Sequence, residues 1–151
     1  ICKSLWQDSP ASFKGNYFNF DDIWCHPQPI QGQNIPLLFG LKMTHENADK
    51  IAKVGHGWIP IKTSRDFISE GKEILFDAFI KEGRQDQPRI RGQLPTCVDD
   101  NGVPNIDLTL KGLEKSMAAG LDEIEVFPIN FVQASDDIYK VLKLISEVKK
   151  L

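Results

Sequence analysis

The sequence predicts an α/β fold in which four β-α units share a parallel sheet. Two observations carry that prediction. The stretch from Ile35 to Ile61 reads strand, helix, strand, with apolar runs at Ile35–Phe39 and Trp58–Ile61 flanking one amphipathic segment. Two short strands joined through one helix are parallel neighbours linked by a right-handed crossover. The same alternation then continues to the C-terminus, giving β-α-β-α-β-α-β-α, the pattern of a sheet covered by crossover helices. At 151 residues, 41 % hydrophobic and 26 % charged, the chain has the composition of one globular domain with a core of useful size.

Residues 1–34 stand apart from this alternation. ICKSLWQ suits a last turn or two of helix with Leu5 and Trp6 on its buried side. The Pro-, Gly- and Asn-rich segment after it carries Phe13, Tyr17, Phe18, Phe20 and Trp24, too many aromatics for a free linker. It predicts a long ordered loop with a short hairpin near Lys14–Asn16, packed over apolar surface. Residues 35–151 hold the β-α units.

Ile35–Phe39 is bounded by Asn34 and Gly40 and suits a strand buried on both faces. Thr44 can cap the helix after it, whose Ala48, Ile51, Ala52 and Val54 recur at helical spacing, and Gly55 is placed for a left-handed C-terminal residue. The second helix begins near Ser64 and Arg65, carries Phe67, Ile68, Gly71, Ile74, Leu75, Ala78 and Phe79 on one face, and ends at Gly83. The third strand runs from about Arg89 to Leu94 and on toward Val98, its Arg89 and Arg91 alternating with Ile90. Asp107 is the expected cap of a third helix with Leu110, Leu113, Met117 and Ala118 on one face, closed by Gly120. Glu123–Pro128 is the fourth strand. Ser135, Asp136 and Asp137 form an acidic first turn for the last helix, whose stripe is Ile138, Val141, Leu142, Ile145 and Val148, with Lys149 and Lys150 at its C-terminus.

The strand-to-helix loops emerge together at the C-terminal ends of the strands, the ligand-binding face of parallel α/β folds. They are Gly40–Met43, Lys62–Ser64, Pro95–Pro104 and Ile129–Ala134. A net charge of −3 offers no attraction for nucleic acid or anionic membrane. No apolar segment approaches the roughly 20 residues that span a bilayer, and no signal peptide is visible. Cys2, Cys25 and Cys97 form no CxxC pair and no metal cluster, as expected of unpaired thiols in a cytoplasmic protein.

Several motifs together resemble the luciferase-like monooxygenase superfamily of flavin- or deazaflavin-dependent oxidoreductases. PQPIQ covers Pro27–Gln31, a strand ends at Gly40, and GHGW covers Gly55–Trp58. SLW at Ser4–Trp6 with SFKGNYF at Ser12–Phe18, and GLDEIEVFP at Gly120–Pro128, match further segments in order. Two positions depart from the family pattern: Leu41 stands for the second glycine of a Gly-Gly pair, and His56 for the Asp of GDGW. The resemblance implies a (β/α)8 TIM barrel of which this chain is the C-terminal half. A half-barrel leaves two sheet edges open, so the chain, which begins at Ile1, is expected to be a fragment that meets its missing N-terminal half or a second copy of itself as a homodimer.

The resemblance further implies a cofactor, FMN or the deazaflavin coenzyme F420, with its phosphate and tail near Phe39, Gly40, Leu41, Lys42, Gly57, Trp58, Ile59 and Pro60. Lys42 and the free N–H groups ahead of Asn47 suit an anion; a solvated lysine and a plain cap are the equal alternative. The aromatic loop, Phe13 to Trp24, is expected to help wall the substrate side. His56, in a helix-to-strand loop, is expected to be structural. No general acid or base is assigned: His26 is the weak candidate, and Asp99 and Asp100 are expected to serve their turn. The parent protein is expected to be an enzyme and the isolated chain inactive. The alternative function is a non-catalytic, self-associating half-barrel module.

Overall fold

The computed structural model describes residues 1–132, 134 and 137–148; the expected roles of Ser135, Asp136, Lys149 and Lys150 lie outside the described residues. The chain divides into two compact units, Ile1–Pro36 and Leu37–Leu151.

The first unit contains helix α1 (Cys2–Gln7) and an antiparallel hairpin of β1 (Ala11–Lys14) and β2 (Asn19–Ile23). Phe13 faces Phe20 across the hairpin, their rings stacked with centroids 5.9 Å apart. Such cross-strand aromatic pairs help hold a two-stranded ribbon. Lys14 pairs with Asp21 beside them. Tyr17, Phe18 and Trp24 are exposed, so these three aromatics do not pack over apolar surface as expected. Tyr17 and Phe18 occupy the turn, where side chains have no strand opposite them.

The second unit is an α/β layer structure. Strands β3 (Leu38–Phe39), β4 (Gly57–Trp58), β5 (Arg89–Gln93) and β6 (Glu123–Glu125) form one parallel sheet in that order. The crossovers are α2 (His45–Val54), α3 (Arg65–Lys81), and the pair α4 (Ile106–Leu110) and α5 (Leu113–Ala118); α6 (Asp137–Val148) follows. Thr44 caps α2 by accepting the Asn47 N–H at 3.2 Å. Gly83, at φ +76, takes the left-handed position after α3.

Three local expectations are revised. Gly55 ends α2 in an extended conformation at φ −100, so it is not a left-handed cap. It is glycine for space: a Cβ there would lie 2.7 Å from the Phe39 ring. Asn105, not Asp107, caps α4, its Oδ1 accepting the Leu108 N–H at 3.0 Å. The single third helix is two short ones, broken at Lys111 and Gly112, and Met117 is exposed while Thr109, Ala119 and Leu121 are buried.

One side of the sheet faces the helices. Trp58, Ile90, Ile51, Ile68, Leu75 and Phe79 are fully buried there, with Met43, Ala48, Ala52 and Leu121. Each large aliphatic side chain so buried contributes about 1.5–3 kcal/mol. Because side chains alternate along a strand, the neighbours of Ile90 and Gly92 point the other way. Arg89 and Arg91 of β5 meet Glu123 and Glu125 of β6 on that opposite side. Arg91 Nε donates to Glu123 Oε2 at 2.7 Å; Arg89 lies 3.6 Å from Glu123, and Arg91 3.7 Å from Glu125.

Candidate cofactor site

The C-terminal ends of β3 and β4 lie side by side. The Ile59 N–H donates to the Phe39 carbonyl at 3.0 Å, and Gly40 stands opposite Ile59, with an added Cβ 4.0 Å from that of Ile59. Gly40 and Lys42 are exposed, Leu41 and Ile59 half-buried, and Pro60 buried. The eight residues expected at the cofactor therefore separate by side. Trp58 turns toward the helices: it is 0 % exposed, lies 5.8 Å from Phe67 centroid to centroid, and sits against Gly71 of α3. Its indole N–H donates to the Leu41 carbonyl at 2.8 Å, which fixes the turn between β3 and α2. Gly57 is packed against the backbone of Arg89. Phe39 covers Gly55. These three, with Leu41 packed against the core and Pro60 buried, hold the strand ends; Gly40, Lys42 and Ile59 border the open side.

The N-terminus of α2 is tied to the loop before it by two side-chain hydrogen bonds. Thr44 takes the Asn47 N–H, and Asn47 Nδ2 donates to the Lys42 carbonyl at 2.9 Å. Among the described residues, the Lys42 side chain has no acidic partner within ion-pair distance.

Past Pro60 the chain runs into a second feature that sequence reasoning located only as a loop. A cavity of about 640 Å³ is lined by Thr63, Ser64 and Arg65, by Leu94, Pro95 and Cys97, and by Gly112, Lys115, Ser116, Ala118 and Ala119. That volume falls within the range of small-molecule sites. Ser64 is the N-cap residue of the 17-residue helix α3 yet makes no side-chain cap bond. The first N–H groups of that helix lack intrahelical acceptors, and its dipole favours an anion. Arg65 and Lys115 bring two positive charges to the lining, Thr63, Ser64 and Ser116 bring hydroxyls, and no lining residue is a carboxylate. The chemistry of this donor set fits a phosphate. The signal in the sequence was the loop Lys62–Ser64 itself; Lys115 and Ser116 gave none, because they come from α5, beyond α3, β5 and α4.

The remaining candidates are placed elsewhere. His26 is exposed, stacked on Trp24 with its Nε2 3.2 Å from Ser9 Oγ. Asp99 Oδ1 accepts the N–H groups of Asn101 and Val103 at 2.9 and 3.0 Å and so serves its turn. His56 Nδ1 accepts the Leu37 N–H at the N-terminal end of the sheet. Arg84 donates to the Ala52 and Gly55 carbonyls at 3.0 and 2.5 Å, stacks over Phe79 and pairs with Asp86. Its hydrogen bond holds the Asp86 carboxyl below the usual carboxylate range. Among the described residues no cluster of three or more His, Cys, Asp or Glu is placed to hold a metal ion, and no helix is long and apolar enough to cross a membrane.

No family model matches the sequence. Uncharacterized proteins of Mycobacterium tuberculosis and Mycobacterium bovis are 35 % identical over 89 residues, 58 % of this chain and 30 % of theirs. The chain thus spans under a third of the length of these curated relatives. Among solved structures, an F420-dependent secondary alcohol dehydrogenase in complex with an F420-acetone adduct superposes with a TM-score of 0.61 at 15 % identity, over 81 % of this chain and 51 % of that one. The coenzyme F420 dependent tetrahydromethanopterin reductase from Methanopyrus kandleri gives 0.56 at 15 %, over 95 % and 52 %. The monooxygenase RslO1 from Streptomyces bottropensis gives 0.51 at 18 %, over 78 % and 36 %. The chain shares the α/β fold of these enzymes, its four-stranded parallel sheet consistent with part of a (β/α)8 barrel.

Proposed function

We propose that the chain forms the C-terminal half of a luciferase-like barrel and supplies the phosphate-binding part of a flavin- or deazaflavin-dependent oxidoreductase. The observation that carries this reading is the cavity at the start of α3, whose lining includes Arg65, Lys115 and three hydroxyl-bearing residues and no carboxylate. When bound, FMN or coenzyme F420 supplies the hydride or oxygen chemistry. The chain's own residues bind and orient. Arg65, Lys115 and the α3 N–H groups neutralise the phosphate. Gly40, Lys42 and Ile59 border the group attached to it, and Phe39, Leu41, Gly57, Trp58 and Pro60 keep that rim in place. Most substrate contacts belong to the other half of the barrel, with the aromatic loop from Phe13 to Trp24 helping to wall the substrate side.

Titration of the full-length protein with FMN and with coenzyme F420, followed by cofactor fluorescence, tests this reading. Arg65→Glu and Lys115→Glu each reverse one charge at the phosphate and are expected to weaken binding at least about tenfold. Binding of neither cofactor, or equal affinity in both variants, overturns it.

A second reading follows from the sheet edges. Among the described residues neither β3 nor β6 has a strand on its outer side. Unpaired edges invite association. Completion of the sheet by the rest of a longer polypeptide is the first form of this reading, and pairing with a second copy, as a self-associating module without turnover, is the alternative. The mass of the 151-residue chain in solution, alone and with the remainder of the polypeptide, separates the two.

A further inference from the structure

The N-terminal end of the sheet is organised around His56. Its N–H donates to the Leu37 carbonyl at 2.7 Å, and its carbonyl accepts the Arg89 N–H at 2.9 Å. One residue therefore links the starts of three adjacent strands, β3, β4 and β5. The side chain adds a third bond: Nδ1 accepts the Leu37 N–H at 3.0 Å in a partly buried setting. β3 is a two-residue edge strand, so this return bond is a substantial share of what holds it.

An imidazole nitrogen accepts a hydrogen bond only while it carries a lone pair. A proton added at Nδ1 turns the acceptor into a donor and sets it against another N–H. We propose that His56 makes the attachment of β3 to the sheet depend on pH: the neutral imidazole ties down Leu37, and protonation releases that end of the strand. Imidazoles ordinarily titrate between about pH 5 and 8, so the latch operates in a window that cells use.

The charged groups near His56 act in both directions. Asp86, whose carboxyl is lowered in part by the charge of His56, favours the imidazolium. Arg84, bonded to the adjacent Gly55 carbonyl, opposes it; Arg89 is joined to His56 through its backbone N–H, while its guanidinium lies 3.6 Å from Glu123. Lys53, the basic residue in the last turn of α2, has the same sign as the arginines. The segment Ile35–Phe39 contributes no titratable side chain.

The test is made by NMR on the full-length protein. At about pH 7.5 the His56 ring is expected to be neutral with Nδ1 unprotonated. As the ring titrates toward about pH 5.5, the protection factor of the Leu37 amide is expected to fall roughly tenfold or more. In His56→Asn, whose side-chain oxygen accepts a hydrogen bond but does not titrate, Leu37 protection is expected to stay level over the same range. A ring that does not titrate above about pH 5, an Nδ1 already protonated at neutrality, or Leu37 protection indifferent to the titration overturns the proposal. The wild-type measurement decides the matter even where the variant fails to fold. It needs no cofactor, so its outcome is independent of the proposed function.

Discussion

Gly71 lies in the middle of α3, buried against the indole of Trp58. Replacing it with Ala pits two effects against each other. Helix propensity favours Ala over Gly by about 1 kcal/mol in a helix interior. Sterics oppose it: the new methyl would lie 2.5 Å from Trp58 Cζ3 and nearer still to Cη2, against an optimum carbon separation of about 3.5–4.0 Å. An overlap of about 1 Å has to be relieved by something, and little can move. Trp58 is 0 % exposed and its indole N–H is held by the Leu41 carbonyl at 2.8 Å. Overpacking costs about 1–3 kcal/mol, and tilting the indole forfeits a hydrogen bond worth about 1 kcal/mol more. The steric side wins, and Gly71→Ala is expected to destabilise by about 1–3 kcal/mol net, a fall in Tm of about 5 °C near the middle of that range. Urea unfolding of the full-length protein, followed by tryptophan fluorescence and far-UV circular dichroism, measures it. In a Trp58→Phe background, where the ring no longer reaches the site, the same substitution should become neutral or stabilising. A stabilised Gly71→Ala in the wild-type background, or an equal cost in both backgrounds, refutes the packing account.

Three further outcomes are expected. Arg84→Lys keeps the charge but loses the stack over Phe79 and the reach to two carbonyls at the end of α2, so it should cost about 2 kcal/mol by denaturant unfolding. Gly57→Ala drives a methyl into the carbonyl of Arg89, which as backbone of the adjoining strand cannot yield. A loss above about 3 kcal/mol, read as lost soluble expression or a large Tm drop, is expected. The Asp86 carboxyl is lowered first by its hydrogen bond with Arg84. A group depressed in the folded state stabilises above its unfolded value, near 3.9, and that contribution disappears as pH falls through the lower folded value. Asp86→Asn should therefore flatten the acid limb of a Tm-against-pH curve.

The order and type of the β-α elements were legible in the residues because the cues are local. Thr44 caps α2 with a bond to a residue three places on, and the stripe from Phe67 to Phe79 places a helix with its face already chosen. Local cues also compete. Asn105 and Asp107 are both good caps two residues apart, and the chain starts the helix at the earlier one. Gly55 looked like a conformational glycine and is a steric one, because only the fold brings Phe39 over it.

The parallel α/β plan is written in the local pattern, since a strand-helix alternation with these periods has few other ways to bury its apolar faces. Which way the proposed site residues point depends on contacts between segments distant in the chain. Trp58, next to a strand end, faced the cofactor side or the helix side with equal right from sequence, and the pairing of Trp58 with Ile90 turned it to the helices. Likewise the cavity draws Arg65, Cys97 and Lys115 from three separate segments. No spacing rule reaches across those intervals, because the distances between them are set by how the strands pair and where the helices pack.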